Sequence, residues 1–246
     1  NYDLKKGFIP KLECDILIHA AGITPQKKYQ DLEYIKVNYN GLKKILNKIK
    51  IKKKLIFLST TDIYKNKFTK DYAKENTKVN FSELSSYAKS KFLCEEYLKD
   101  LDKKKFPFKK IILRLPGIIG LKNHKNFISN IANNIVKRKK IIFFGGENLF
   151  NNIYHVEHLA DFIKSVLKKK VIKNYSVINI AACKPIKIKN IFKMLGKNIN
   201  ISEKKPRNKK NYSFVISISN FGKYYKKIST LEILHKYFKS YGIKIQ

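Results

Sequence analysis

A chain of 246 residues, 43% of them hydrophobic, can bury a sizeable core and is too apolar to be disordered. Its net charge of +36 comes from 54 basic residues against 18 acidic ones, and only Arg114, Arg138 and Arg207 among the basic residues are arginine. Planar, bidentate recognition of phosphates and bases favours arginine, so this dispersed lysine excess reads as solvated faces, and nucleic acid is not favoured as a partner.

Strand-like apolar runs are expected near 15–20, 54–59, 109–115, 141–144 and 175–180. Helical periodicity falls near 31–50, 86–101, 125–138, 156–169, 186–196 and 229–241. Loops are marked by Gly22-Ile23-Thr24-Pro25, by 117–120, by Gly145-Gly146 and by the basic stretch 203–211. Strands alternating with helices predict an α/β fold with a parallel sheet wrapped by helices. No apolar run approaches a membrane span, and no signal-peptide core opens the chain. Cys14, Cys94 and Cys183 are odd in number, widely spaced and outside any CxxC pair, which fits reduced thiols in a cytoplasm. His155 and His158 form a His-x-x-His with no third ligand nearby, so no metal site is expected.

The chemistry concentrates in two segments. Leu58-Ser59-Thr60-Thr61-Asp62-Ile63-Tyr64 ends a strand in hydroxyls, and Ser85-Ser86-Tyr87-Ala88-Lys89-Ser90-Lys91 opens a helix. Tyr87 and Lys91 are four apart, which places both on one helix face. An ammonium beside a phenol favours the phenolate, so Lys91 is expected to pull the Tyr87 pKa down from about 10. A tyrosine tuned in this way exchanges a proton with a hydroxyl or carbonyl near neutral pH, and a Thr60 hydroxyl would bond the same oxygen. Tyr-x-x-x-Lys alone is a weak signal in a chain with 15 tyrosines. Its force comes from the order strand, hydroxyl, loop, helix, strand.

That order resembles the extended short-chain dehydrogenase/reductases, in the NAD-dependent epimerase/dehydratase group. Asp15-Ile16-Leu17-Ile18-His19-Ala20-Ala21-Gly22 is similar to the family's fourth strand and the small-residue turn beside its cofactor. Val37-Asn38-Tyr39-Asn40-Gly41, Arg114-Leu115-Pro116-Gly117, the segment 153–160 and Ser217-Ile218-Ser219 resemble further family motifs in family order. The resemblance implies a Rossmann-like doubly wound sheet, with a smaller substrate-binding region toward the C-terminus. It places the dinucleotide-binding core at 1–116 and 156–182, and the substrate-binding region at 117–155 and 183–246. It also implies NAD or NADP as cofactor and a nucleotide-linked sugar as substrate.

By the same resemblance Thr60, Tyr87 and Lys91 are the catalytic residues. Tyr87 is the acid/base, Lys91 tunes it and holds the nicotinamide ribose, and Thr60 holds the reacting oxygen. Asp3, Leu4, Ala20, Ala21, Gly22, Asn38, Ser59 and Pro116 join Tyr87 and Lys91 around the cofactor. Thr61, Gly117, Asn126 and Asn151 join Thr60 and Tyr87 around the substrate. Thr61-Asp62 stands where dehydratases carry Asp-Glu, which disfavours 4,6-dehydration and leaves epimerase or reductase. A homodimer through the helices near 31–50 and 86–101 is implied as well.

No Gly-x-x-Gly-x-x-Gly is present, although the family carries it at its first strand–helix turn to admit the pyrophosphate. The expectation is a sequence that opens near the third strand, with two strand–helix units of about 30 residues each lying upstream. Alternative readings are a non-catalytic cofactor-binding relative, a truncated remnant and, remotely, a basic nucleic-acid binder.

Overall fold

A computed structural model describes residues 9–25, 29–64, 72–101, 103–121, 123, 125–169, 173–196, 199–204 and 215–245. In chain order the elements are β1 (Leu12–His19), α1 (Asp31–Tyr34), a π-helical turn (Ile35–Tyr39), α2 (Asn40–Lys48), β2 (Ile49–Thr60), α3 (Ser86–Asp100), β3 (Lys109–Leu115) and β4 (Gly117–Ile119). Then follow α4 (Phe127–Val136), β5 (Ile141–Phe143), β6 (Leu149–Phe150), β7 (Ile153–His155), α5 (Val156–Lys168), β8 (Tyr175–Asn179), β9 (Ile186–Lys187), α6 (Ile188–Met194), β10 (Ile201–Glu203) and α7 (Thr230–Ser240). The five expected strands and six expected helices are all present. The helix expected over 31–50 is broken by its π turn, and the strand expected over 54–59 runs from 49 to 60.

The chain divides into two compact units. Unit 1 comprises residues 1–66, 78–114 and 170–178, and carries a four-stranded sheet in the order β1-β2-β3-β8. β1 and β2 run parallel; Cys14 faces Ile51 but Ile16 faces Lys54, so β2 accommodates one extra residue as a bulge. One layer of the core forms where α2 and α3 cover the sheet: Leu42, Leu46, Leu55, Phe57, Cys94, Leu98 and Ile112 are buried together. Leu42 and Leu46, and likewise Cys94 and Leu98, are four apart, so each helix turns one apolar stripe onto the strands. Ser85 starts α3 as its cap, accepting a hydrogen bond from the Ala88 N–H at 3.2 Å.

Unit 2 comprises residues 67–77, 115–169 and 179–246. Three two-stranded pairings, β4 with β7, β5 with β10 and β6 with β9, are found there. α5 was expected in the dinucleotide-binding core but falls in this unit, where Phe162 stacks on Phe221 at 4.6 Å between ring centroids. His155 caps α5 by accepting from the Glu157 N–H at 3.3 Å. Ser217-Ile218-Ser219 lies beside a single bridge between Ala73 and Ile216.

Two residues expected at the substrate prove to be internal ties of unit 2. Asn126 caps α4, accepting from the Ser129 N–H at 3.0 Å and donating to the Ile118 carbonyl at 3.2 Å. Asn151 is 1% exposed. Its amide donates to the carbonyls of Ala182 and Ile216, at 3.0 and 2.8 Å, and accepts from the Ile216 N–H at 3.0 Å. Both amide donors and one of the two Oδ1 lone pairs are thus used within unit 2. Replacing Asn151 by Leu strands three buried backbone groups and is expected to cost about 3 kcal/mol or more in urea unfolding; a cost below about 1 kcal/mol would show that these ties carry little.

Candidate active site

Strand β2 delivers the hydroxyls and α3 delivers the phenol and the ammonium, all within unit 1. Thr60 closes β2, and a 3₁₀ turn over Thr61–Tyr64 follows it. The Thr60 hydroxyl accepts from the Asp62 N–H at 3.1 Å and acts on the Tyr87 phenol, whose deprotonated form it favours. One turn along α3, the Lys91 ammonium donates to the Leu58 carbonyl at 2.9 Å and lies 4.8 Å from the centre of the Phe57 ring. Thr60 and Lys91 are each 6% exposed.

The small-residue turn after β1 reaches the same place. Ala20, Ala21 and Gly22 are exposed, and Gly22 holds φ at +148°, which favours glycine. A methyl group built on Gly22 would stand 2.8 Å from Asn38 Oδ1 and 3.7 Å from Lys91 Nζ. The turn therefore presents its backbone beside the Lys91 ammonium. Asn38, expected to touch cofactor, is 1% exposed and shapes this turn instead. Its Oδ1 accepts from the Ile23 N–H at 2.8 Å, and its Nδ2 donates to the Ile23 carbonyl at 3.1 Å and to Ser90 Oγ at 3.0 Å.

Two expectations change on this geometry. Lys91 was expected to depress the Tyr87 pKa. Burial instead pushes the Tyr87 phenol above its ordinary value, helped by the negative charge of Asp62; the Thr60 hydroxyl opposes this. Burial also pulls Lys91 below the usual lysine range. Ser59 was expected at the cofactor, but its hydroxyl donates to Glu95 Oε1 at 2.5 Å. Glu95 is wholly buried and paired with Arg114, whose Nη2 lies 2.6 Å from Oε2. Spacing alone held this signal, because Tyr87, Lys91 and Glu95 recur every four residues along one face of α3. Tyr34 was also missed; its ring packs edge-on against Tyr87 at 6.0 Å.

Of the remaining expected residues, Thr61 is buried within the 3₁₀ turn. Pro116 is buried and Gly117 begins β4, both in unit 2. Asp3 and Leu4 lie outside the described residues. Among the described residues no helix is long and apolar enough to cross a membrane.

The model of the NAD dependent epimerase/dehydratase family matches residues 1–181. No curated protein matches the chain. Among solved structures, the chain is similar to a UDP-N-acetylglucosamine 4-epimerase from Methanobrevibacter ruminantium M1 in complex with UDP-N-acetylmuramic acid, with 21% identity and a TM-score of 0.73 over 92% of this chain and 76% of that one. It is similar to a UDP-glucuronic acid 4-epimerase from Bacillus cereus in complex with UDP-glucuronic acid and NAD, with 21% identity and a TM-score of 0.74 over 93% and 75%. A UDP-glucose 4-epimerase from Thermotoga maritima with UDP-glucose gives 18% identity and a TM-score of 0.72 over 93% and 77%. These likenesses establish a Rossmann-like α/β fold.

His19 ends β1 beside this site and is 3% exposed, with neither ring nitrogen hydrogen-bonded. Burial, and then the Lys91 charge, lower its pKa from 6.5 to about 4. The unfolded chain thus binds a proton more tightly than the folded one between these values. Folding stability is full above pH 6.5 and falls as the pH drops toward 4. His19→Phe is expected to remove about 3 kcal/mol of that acid-side loss. Identical pH–stability curves for the variant and the parent would rule His19 out as its source.

Proposed function

The chain belongs to the NAD dependent epimerase/dehydratase family, and on that premise we propose that it interconverts an alcohol and a carbonyl on a nucleotide-linked sugar, as an epimerase or a reductase, with NAD or NADP. The observation that carries this reading is the grouping of the Thr60 hydroxyl at the end of β2 with the buried Tyr87 phenol on which it acts and, one helical turn along α3, the Lys91 ammonium. The solved epimerases named above, in complex with UDP-sugars and in one case with NAD, support the substrate class and the cofactor.

The residues present fit such a cofactor. The exposed turn at Ala20, Ala21 and Gly22 has no bulky side chain, and the Lys91 ammonium beside it has donors left after its bond to Leu58. Lys91 and this turn would hold the nicotinamide half. When bound, the cofactor supplies the acceptor and donor of hydride. Tyr87 moves the proton at the sugar oxygen. Thr60 holds that oxygen and, by donating to the phenolate, stabilises the deprotonated form that burial disfavours. A protonated resting Tyr87 is poised to give its proton to a carbonyl. To take one it needs positive charge brought in with the cofactor, beside that of Lys91.

A homodimer through the helices near 31–50 and 86–101 remains our proposal; Tyr39, which ends the π-helical turn, and Tyr97 on α3 pack at 6.0 Å, with Lys43 over both rings. The three free thiols support a cytoplasmic setting. 4,6-Dehydration is disfavoured by Thr61-Asp62.

The test is turnover of a panel of UDP- and dTDP-linked sugars with NAD or NADP by the parent protein and by Tyr87→Phe. The variant is expected to lose about 10²- to 10⁴-fold in kcat while cofactor affinity holds. Unchanged turnover would sink the assignment of Tyr87. Cofactor binding with no turnover by the parent would make the protein a non-catalytic relative.

A further inference from the structure

Glu95 and Arg114 form a buried cluster that the proposed chemistry does not use. Glu95 is 0% exposed and Arg114 5%. Arg114 Nη2 meets Glu95 Oε2 at 2.6 Å, and Nε lies 3.2 and 3.1 Å from the two carboxylate oxygens. Two further hydrogen bonds extend the cluster. Ser59 Oγ donates to Oε1 at 2.5 Å, and Arg114 Nη1 donates to the Tyr64 hydroxyl at 2.5 Å. The guanidinium also lies 5.3 Å from the centre of the Tyr64 ring.

Stability alone does not account for this pair. Desolvating two ions consumes most of their attraction, and well-packed apolar groups of similar volume usually hold a core as firmly. The informative fact is what the pair connects. Ser59 is the residue before Thr60. Tyr64 ends the 3₁₀ turn that begins at Thr61. Glu95 lies one turn beyond Lys91 and two beyond Tyr87 on the same face of α3. Arg114 comes from β3. One carboxylate therefore fastens α3 to the end of β2, and its guanidinium partner fastens both to the turn after β2.

We infer that Glu95 and Arg114 are positioning residues: their ion pair, acting through Ser59 and Tyr64, sets the advance of α3 along β2 at which the Tyr87 phenol meets the Thr60 hydroxyl. The inference rests on the oxidoreductase reading above. An apolar contact tolerates sliding along the helix axis, whereas a forked carboxylate–guanidinium pair holds one register. Misplacement by about 1 Å costs on the order of 10²-fold in rate, so a clamp of this kind would act on kcat with little effect on binding.

The test uses the complete protein and two variants. Glu95→Leu/Arg114→Met replaces the pair with apolar groups. Ser59→Ala cuts only the link to β2 and leaves the pair. Thermal unfolding, the Kd for NAD or NADP, and kcat and KM on the best sugar of the panel are measured for each. The double variant is expected to unfold cooperatively near the parent's midpoint and to lose about 10²-fold in kcat, with cofactor Kd and KM within about threefold of the parent's. Ser59→Ala is expected to lose about tenfold in kcat with an unchanged cofactor Kd. A folded double variant with parental kcat would overturn the inference. Should the double variant fail to fold, Ser59→Ala decides, and parental kcat there overturns the inference equally. A rise in cofactor Kd for Ser59→Ala would mean that Ser59 acts on the cofactor and would also overturn it. Absence of turnover in the parent removes the oxidoreductase reading and this inference with it; that outcome differs from the others because the loss is already present before any substitution.

Discussion

Unit 1 depends on a carboxylate that water cannot reach. Glu95 sits in the seam between α3 and the strands, and a charge there survives only if every lone pair is answered. Arg114 supplies the countercharge from β3, and Ser59 supplies a hydroxyl from the end of β2. The Glu95 backbone carbonyl accepts from the Tyr175 hydroxyl at 3.3 Å, which adds β8 to the same node. Three of the four strands of the sheet and one covering helix are therefore fixed by polar contacts around one residue, inside a layer otherwise held by Leu55, Phe57, Leu98 and Ile112. Apolar packing supplies the drive to bury this layer, while directional bonds decide which register it takes.

The same exclusion of water governs acidity at the strand ends. His19, Tyr87 and Lys91 each shift toward their neutral forms, and burial is the largest cause in all three. A ligand that brings charge into such a region meets little screening, so its effect on Tyr87 is larger than it would be in water. On the proposed reading, proton transfer at Tyr87 would be tied to the arrival of a charged ligand, since burial favours the protonated phenol and Thr60 opposes that shift.

Much of this was legible in the chain. Apolar runs placed β2 and β3 because strands buried on both faces read as continuous Val, Ile, Leu and Phe. The four-residue step from Tyr87 to Lys91 placed both on one face of α3, which Ser85 caps in the structure. Short pairings such as β4 with β7 were not legible, because three residues carry no period to read. The roles of Asn38, Asn126 and Asn151 were not legible either. An amide satisfies a loop or a ligand with the same atoms, and only its neighbours in space tell which. The Tyr87 acidity failed for a related reason: the sequence shows which charge is near along the helix, but it does not show how much water is removed.

Charge separates the polar network that holds the fold from the one that faces solvent. With 18 acidic residues against 54 basic ones, most lysines have no carboxylate to pair with. Acids that pair at the surface, among them Glu13 with Lys50 and Lys52, Glu147 with Lys187 and Lys189, and Glu157 with Lys236, are well solvated, and such pairs contribute little to stability. The buried pair differs in kind: it uses one of only three arginines, and a planar fork serves there where a lysine point charge would not. The surplus lysines are then free to act at a distance. A field of this sign raises the local concentration of anions, and a nucleotide-linked sugar carries its negative charge on a diphosphate. On the proposed reading, the lysine-rich surface would serve the approach of an anionic substrate, and the arginine-clamped interior the geometry it meets on arrival.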